Sequence, residues 1–159
     1  MKIAQVLGVN NPILKEKVLN FWISEGCMSE NEAHNRIKEV LAAVLDDDNN
    51  VIAVCSGKPY FVEQLKDWFI YYRAYTKPEF RNLDITRFLL NSVYQFLNKS
   101  QSKKIEDVEV KGIYIVFESE ILNKFVKKFI TSECNLTLIG WNDKNQQLRV
   151  AYFDDAQMN

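Results

Sequence analysis

Glycine is scarce in this chain, and each one stands alone. The 159 residues hold five of them, Gly8, Gly26, Gly57, Gly112 and Gly140. None is spaced from another as a phosphate loop or dinucleotide fingerprint requires. Phosphate recognition would therefore rest on side chains and a helix terminus. Cysteine is equally sparse, with Cys27, Cys55 and Cys134 only. An odd number cannot all pair, and no two have metal-site spacing, so the expectation is reduced thiols in a cytoplasmic protein with no metal centre. The single histidine, His34, sits in a charged stretch where it is expected to be solvated and not to act as a base. No apolar run approaches the roughly 18 residues that would span a bilayer, and no basic-then-apolar leader opens the chain, so no membrane is expected. The formal charge is −1. That excludes a global basic field for nucleic acid and an acidic excess of the disordered kind.

What is present suits a folded domain. Hydrophobic residues make up 47% and charged residues 26%, normal for a globular protein, and no linker or repeat divides residues 1–159. Residues 2–8 read as a first strand. Asn11-Pro12 opens a helix, with Asn as cap and Pro in the first turn, and Gly26 stops it. Ser29 with Glu32 forms a capping-box pattern for a second helix to about Lys38. Residues 40–45 and 51–56 are apolar runs joined by Asp46-Asp47-Asp48-Asn49-Asn50, a hairpin signature. That loop lacks the spacing, glycine and final glutamate of a calcium loop, so it reads as a solvated turn. Gly57-Lys58-Pro59 is expected to break the second strand, with residues 61–65 resuming it. Residues 98–109 are polar and read as a mobile loop. Residues 113–117 form a strand and 121–130 a helix, with Ile121, Leu122, Phe125, Val126 and Phe129 inward. Residues 136–141 and 148–153 close the chain as a hairpin, and 154–159 are expected to fray.

The stretch from Trp68 to Leu97 organises the rest. Residues 68–76 are dense in aromatic and β-favouring side chains, and Pro78 ends the strand because it has no N–H for the ladder. From Ile85, apolar residues Phe88, Leu89, Val93 and Phe96 follow at three- and four-residue steps, the stripe of an amphipathic helix. A strand turning sharply into a helix brings unpaired backbone N–H groups to the strand's end, where they can hold an anion.

Pro78-Glu79-Phe80-Arg81, Asn82-Leu83-Asp84-Ile85-Thr86 and Leu89-Leu90 resemble the acyl-CoA-binding motif of the GNAT N-acetyltransferases. The order of elements over essentially the whole chain is similar to that family as well. The resemblance implies an α/β domain with a central mixed, mostly antiparallel sheet and helices on both faces. It implies an N-acyltransferase that moves an acetyl group from acetyl-CoA, or another acyl-CoA, to an unidentified amine. The amine would attack directly, in a cleft where the fourth and fifth strands splay. Cofactor contacts would come from Tyr75, Thr76, Arg81, Asn82, Leu83, Asp84, Ile85 and Thr86, and from Asn123, which in the family helps hold the pantetheine arm. The chain departs from the pattern at three positions. Asp84 and Thr86 stand where the family has glycines, and Ile130 stands where it commonly has the tyrosine that protonates the departing thiolate. The alternative reading is a catalytically inactive protein of this shape, serving as a binding module.

Removing the ammonium proton of the acceptor needs a base. Glu118 and Glu120, just after the fifth strand, are the candidates for base or substrate contact. Tyr71, Tyr72 and Tyr75 lie along the central strand, Tyr75 on the face shared with Arg73 and Tyr72 on the other; one of these tyrosines, Tyr75 first, is the candidate replacement acid. Arg81 can pair with a phosphate or with its neighbour Asp84. Lys103-Lys104 and Lys124, Lys127 and Lys128 read as solvated faces, with no clear nucleic-acid partner. A homodimer through an exposed terminal hairpin is a possible assembly.

Overall fold

The computed structural model describes residues 1–5, 11–81 and 83–158. Seven strands form one sheet: β1 (Lys2–Gln5), β2 (Val40–Leu45), β3 (Val51–Val62), β4 (Asp67–Thr76), β5 (Gly112–Val116), β6 (Thr137–Trp141) and β7 (Gln147–Tyr152). Their spatial order is β1-β2-β3-β4-β5-β7-β6. β1 with β2, β2 with β3, β5 with β7 and β6 with β7 are antiparallel. β4 and β5 pair in parallel, Ile70 opposite Ile113 and Tyr71 opposite Tyr114. The helices are α1 (Pro12–Ser24), α2 (Glu30–Arg36), α3 (Leu83–Lys99) and α4 (Glu120–Phe125). The architecture is the mixed α/β sheet expected.

The chain divides into two compact units, Met1–Gly57 with Ala74–Val93, and Lys58–Arg73 with Tyr94–Asn159. In the first, Leu14, Val18, Phe21 and Trp22 of α1 and Ala33 of α2 bury against Val40, Ala43, Leu45, Val51 and Val54 of β2 and β3. Helix entry is local chemistry. The Asn11 side chain accepts from the Leu14 N–H with Pro12 in the first turn, and Ser29 and Glu32 complete a reciprocal capping box. In the second unit, Val62, Phe69, Tyr114 and Val150 form a core cluster. Gly112 is required there, since a Cβ at that position would sit 2.1 Å from the Ala151 carbonyl oxygen of the partner strand.

The hairpin turn between β2 and β3 is held by its own residues, the Asn50 N–H donating to Asp46 Oδ1 at 2.7 Å. That bond is the main reason the Asp46 carboxyl titrates below its usual range. Of the strand expected at 2–8, residues 2–5 are β1, and 6–8 lie outside the described residues.

Several expectations are corrected. β3 runs unbroken through Gly57-Lys58-Pro59 to Val62. Its register with β2 ends at Ser56, so a residue without an N–H falls where that ladder makes no demand. On α3 the buried stripe is Ile85, Leu89, Leu90, Val93, Tyr94 and Leu97, whereas Phe88 and Phe96 are exposed. The stretch 98–109 is not a plain loop, because α3 reaches Lys99 and a small antiparallel ribbon pairs Lys104–Ile105 with Val108–Glu109. The helix expected over 121–130 stops at Phe125. Ile121, Phe125 and Phe129 then point outward instead of inward, and Ile130 forms an isolated bridge to Thr137. The start of the tail is anchored, since Asn98 donates to Asp154 Oδ2 at 2.8 Å and accepts from the Asp154 N–H at 2.9 Å.

Candidate functional site

In the first unit, the candidate side chains collect where β4 ends. α1 closes in a Schellman motif: Gly26 at φ +64° donates to the Ile23 carbonyl, and the Cys27 N–H to the Trp22 carbonyl. That turn sets the Cys27 thiol beside the Tyr75 hydroxyl. The Tyr75 ring packs edge-on against Phe21, centroids 5.8 Å apart. The Arg81 guanidinium carbon lies 5.1 Å from the Tyr75 ring centroid, and Arg81 Nε donates to the Thr76 carbonyl at 3.0 Å. Among the described residues Arg81 forms no ion pair with Asp84. Its charge is folded back onto the strand end instead. Lys77 adds a second cation, 3.6 Å from Glu25, and its N–H bonds the Ile52 carbonyl.

Burial raises the Tyr75 hydroxyl above its ordinary value, and Cys27 adds to this while Arg81 opposes it. The Cys27 thiol is also raised, mainly by burial, with the Tyr75 hydroxyl pulling the other way. At neutral pH both groups keep their protons. Tyr75 thus presents a protonated hydroxyl, its ring held between an arginine and an aromatic neighbour.

The turn into α3 spends its own donors. Pro78–Phe80 is a single 3₁₀ turn, in which the Phe80 N–H bonds the Lys77 carbonyl and the Arg81 N–H the Pro78 carbonyl. A glycine loop would aim such groups at a phosphate; here they close the turn. Asp84 is exposed in the first turn of α3, where a carboxylate offsets the positive end of the helix. Thr86 is half-buried and Ile85 buried. Asn82 lies outside the described residues, and Leu83 is the first residue of the helix.

The remaining predicted positions belong to the second unit. Glu118 and Glu120 are exposed, Glu120 opening α4 behind the Ser119 cap. The Asn123 side chain is fully engaged: Nδ2 donates to the Phe117 carbonyl and, at 3.0 Å, to the Ser119 carbonyl, while Oδ1 accepts from the Gln147 N–H at 2.8 Å. Gln147 Nε2 in turn donates to the Asn123 and Val126 carbonyls. Arg149, 1% exposed, donates to Gln147 Oε1 and to the carbonyls of Lys128, Phe129 and Leu136. These contacts are why α4 is short, since side chains from β7 take carbonyls that a longer helix would keep. Tyr71 packs with Tyr60 and Tyr114, and Arg73 covers its ring at 5.3 Å.

Sequence reasoning placed Tyr75, Thr76 and Arg81 together. It missed Cys27 and Glu25 around them, and Gln147 and Arg149 under α4. Lys77 was legible as a cation flanking the strand-ending proline. Nothing in sequence spacing linked Cys27 to a strand 48 residues on.

No family model matches the sequence, and no curated protein matches it. Solved structures do match in shape. The ribosomal-protein-S5-alanine acetyltransferase from Vibrio fischeri is similar at TM-score 0.63 and 10% identity, over 98% of this chain and 94% of that one. A GNAT-family acetyltransferase from Streptococcus pneumoniae is similar at TM-score 0.58 and 6% identity, over 94% and 95%. Identities this low speak to architecture alone. With the strand order above, they establish that the chain has the fold of the GNAT acetyltransferases.

Proposed function

We propose that this protein is an N-acyltransferase that takes its acyl group from acetyl-CoA or a related thioester and passes it to an amine. The observation that carries the reading is the Arg81–Tyr75 pair at the end of β4, on this fold. Arg81 and Lys77 fit an anionic diphosphate through side-chain charge, in place of a glycine cradle. The thioester supplies an activated acyl carbon and a thiolate leaving group. Tyr75, protonated at neutral pH, is suited to returning a proton to that thiolate. Glu118 and Glu120 are the proposed bases for the acceptor ammonium. Asn123 is proposed to act by positioning, through its bonds to the backbone on either side of α4.

The test is the unfolding midpoint with and without millimolar acetyl-CoA. Ligand at about 100 times its dissociation constant stabilises by about 2.7 kcal/mol. Arg81→Ala should shrink that shift and Asp84→Gly should enlarge it. With turnover in hand, Tyr75→Phe, Glu118→Gln and Glu120→Gln should each lower kcat more than they raise KM. No midpoint shift, or the opposite order of the Arg81 and Asp84 variants, would refute the phosphate placement.

A second reading has its own support. The closed 3₁₀ turn and the Asp84 carboxylate both work against anion binding at the start of α3. They suit a protein of this fold that binds a partner without catalysis.

A further inference from the structure

The residues after β5 combine features that a solvated surface does not need. Ile121, Phe125, Phe129 and Ile130 are 63%, 67%, 74% and 56% exposed. Lys124, Lys127 and Lys128 are exposed among them, and no carboxylate occurs from 121 to 130. Ile121 and Phe125 stand one turn apart on α4, and Lys124 Nζ lies 5.5 Å from the Phe125 ring centroid. Four of the segment's carbonyls are bonded from within the protein. Gln147 takes the carbonyls of Asn123 and Val126, Arg149 takes those of Lys128 and Phe129, and the Leu138 N–H also bonds Phe129.

We propose that this segment docks on an anionic membrane surface, its phenylalanine and isoleucine side chains seated among acidic headgroups with the three lysines beside them. Charge selects the occupant. A second copy meeting this face about a two-fold axis would set lysines against lysines. An extended peptide needs a free strand edge. The neighbouring edge of β6 is already bonded at Thr137 and Leu138 by residues 129–131, and its register shifts between Leu138 and Gly140. A lipid surface needs only protruding apolar groups and adjacent cations. No helix among the described residues is long and apolar enough to cross a membrane, so the contact is with the face of one leaflet. The inference does not rest on the acyltransferase reading, and its variants leave Tyr75, Arg81, Glu118, Glu120 and Asn123 unchanged.

The experiment is co-sedimentation of the full chain with vesicles of roughly one part phosphatidylserine to two parts phosphatidylcholine, and with phosphatidylcholine alone. Binding is expected to the first and to be at least about tenfold weaker to the second, declining as salt is raised. The K124Q/K127Q/K128Q variant should bind about a hundredfold more weakly, from roughly fivefold per lysine. F125S/F129S should also lose binding. Ile13→Ser, at an apolar residue 68% exposed on α1, should not. All of these sites are exposed, so circular dichroism should show unchanged folding. The proposal is overturned by absent binding at low salt, by a lysine variant that binds as well as the parent, or by equally tight binding to soluble polyglutamate. Self-association that F125S/F129S abolishes would overturn it in favour of a second copy.

Discussion

Replacing Arg149 with methionine should destabilise the protein by about 2–4 kcal/mol, because the loss of donors outweighs relief from burying a charge. Arg149 is a buried cation whose bonds among the described residues go to uncharged oxygens, and burial lowers its pKa. Methionine keeps the aliphatic stem and removes the fork, together with the guanidinium carbon 5.3 Å from the Phe117 ring centroid. Four acceptors are affected, though unequally. The Phe129 carbonyl keeps its bond from the Leu138 N–H, and the Leu136 carbonyl keeps its bond from Thr131. The Lys128 carbonyl and Gln147 Oε1 lose the only donors they have among the described residues. Two orphaned acceptors at about 1–3 kcal/mol each, less what solvent returns to the part-buried Lys128 carbonyl, give that range. For a chain of this length the midpoint should fall by roughly 5–15 °C. Chemical denaturation measures the energy, and amide exchange localises it, with faster exchange at Leu138 and Thr131. If the variant matched or exceeded the parent in stability with those amides still protected, the buried charge would cost as much as its hydrogen bonds return. The account of why α4 is short would then fail.

Two further outcomes follow from the geometry. Gly112→Ala should cost about 3 kcal/mol or prevent folding, because its methyl group meets the backbone of β7; an unchanged denaturation midpoint would show that the β5–β7 pairing is looser than described. Alkaline stability should decline in two stages. Burial pushes the Cys134 thiol from 9.0 to about 12, and burial with the nearby Asp154 charge pushes the Tyr94 hydroxyl from 10.0 to about 12. Both are neutral when protonated, so the folded state holds the proton where the unfolded chain has released it. Stability is therefore full below about pH 9 and falls from there as unfolded Cys134 ionises. It falls more steeply above about 10 as unfolded Tyr94 does, until both folded groups ionise near 12. In urea melts across that range, Cys134→Ala should remove the first stage and Tyr94→Phe the second; identical slopes in all three proteins would contradict the assignment.

Local chemistry in the sequence determined where most elements begin. Asn11-Pro12, the Ser29–Glu32 pair and the Asp46–Asn50 turn each act over four or five residues, and each does in the structure what its spacing implies. The strand from Trp68 to Thr76 and the helix behind it were legible for the same reason, since period and proline punctuation are short-range signals. What tertiary structure decided was anything settled by distant partners. Pro59 looked like a break because its tolerance depends on where β2 stops. Residues 121–130 looked helical because nothing in their own pattern announces that Gln147 and Arg149 will take their carbonyls. The same holds at the site: Tyr75 and Arg81 are six residues apart and were read together, whereas Cys27 reaches Tyr75 only because α1 ends in a glycine turn beside β4. A sequence records the preferences of neighbours along the chain, and only folding reveals which polar groups compete for the same partner.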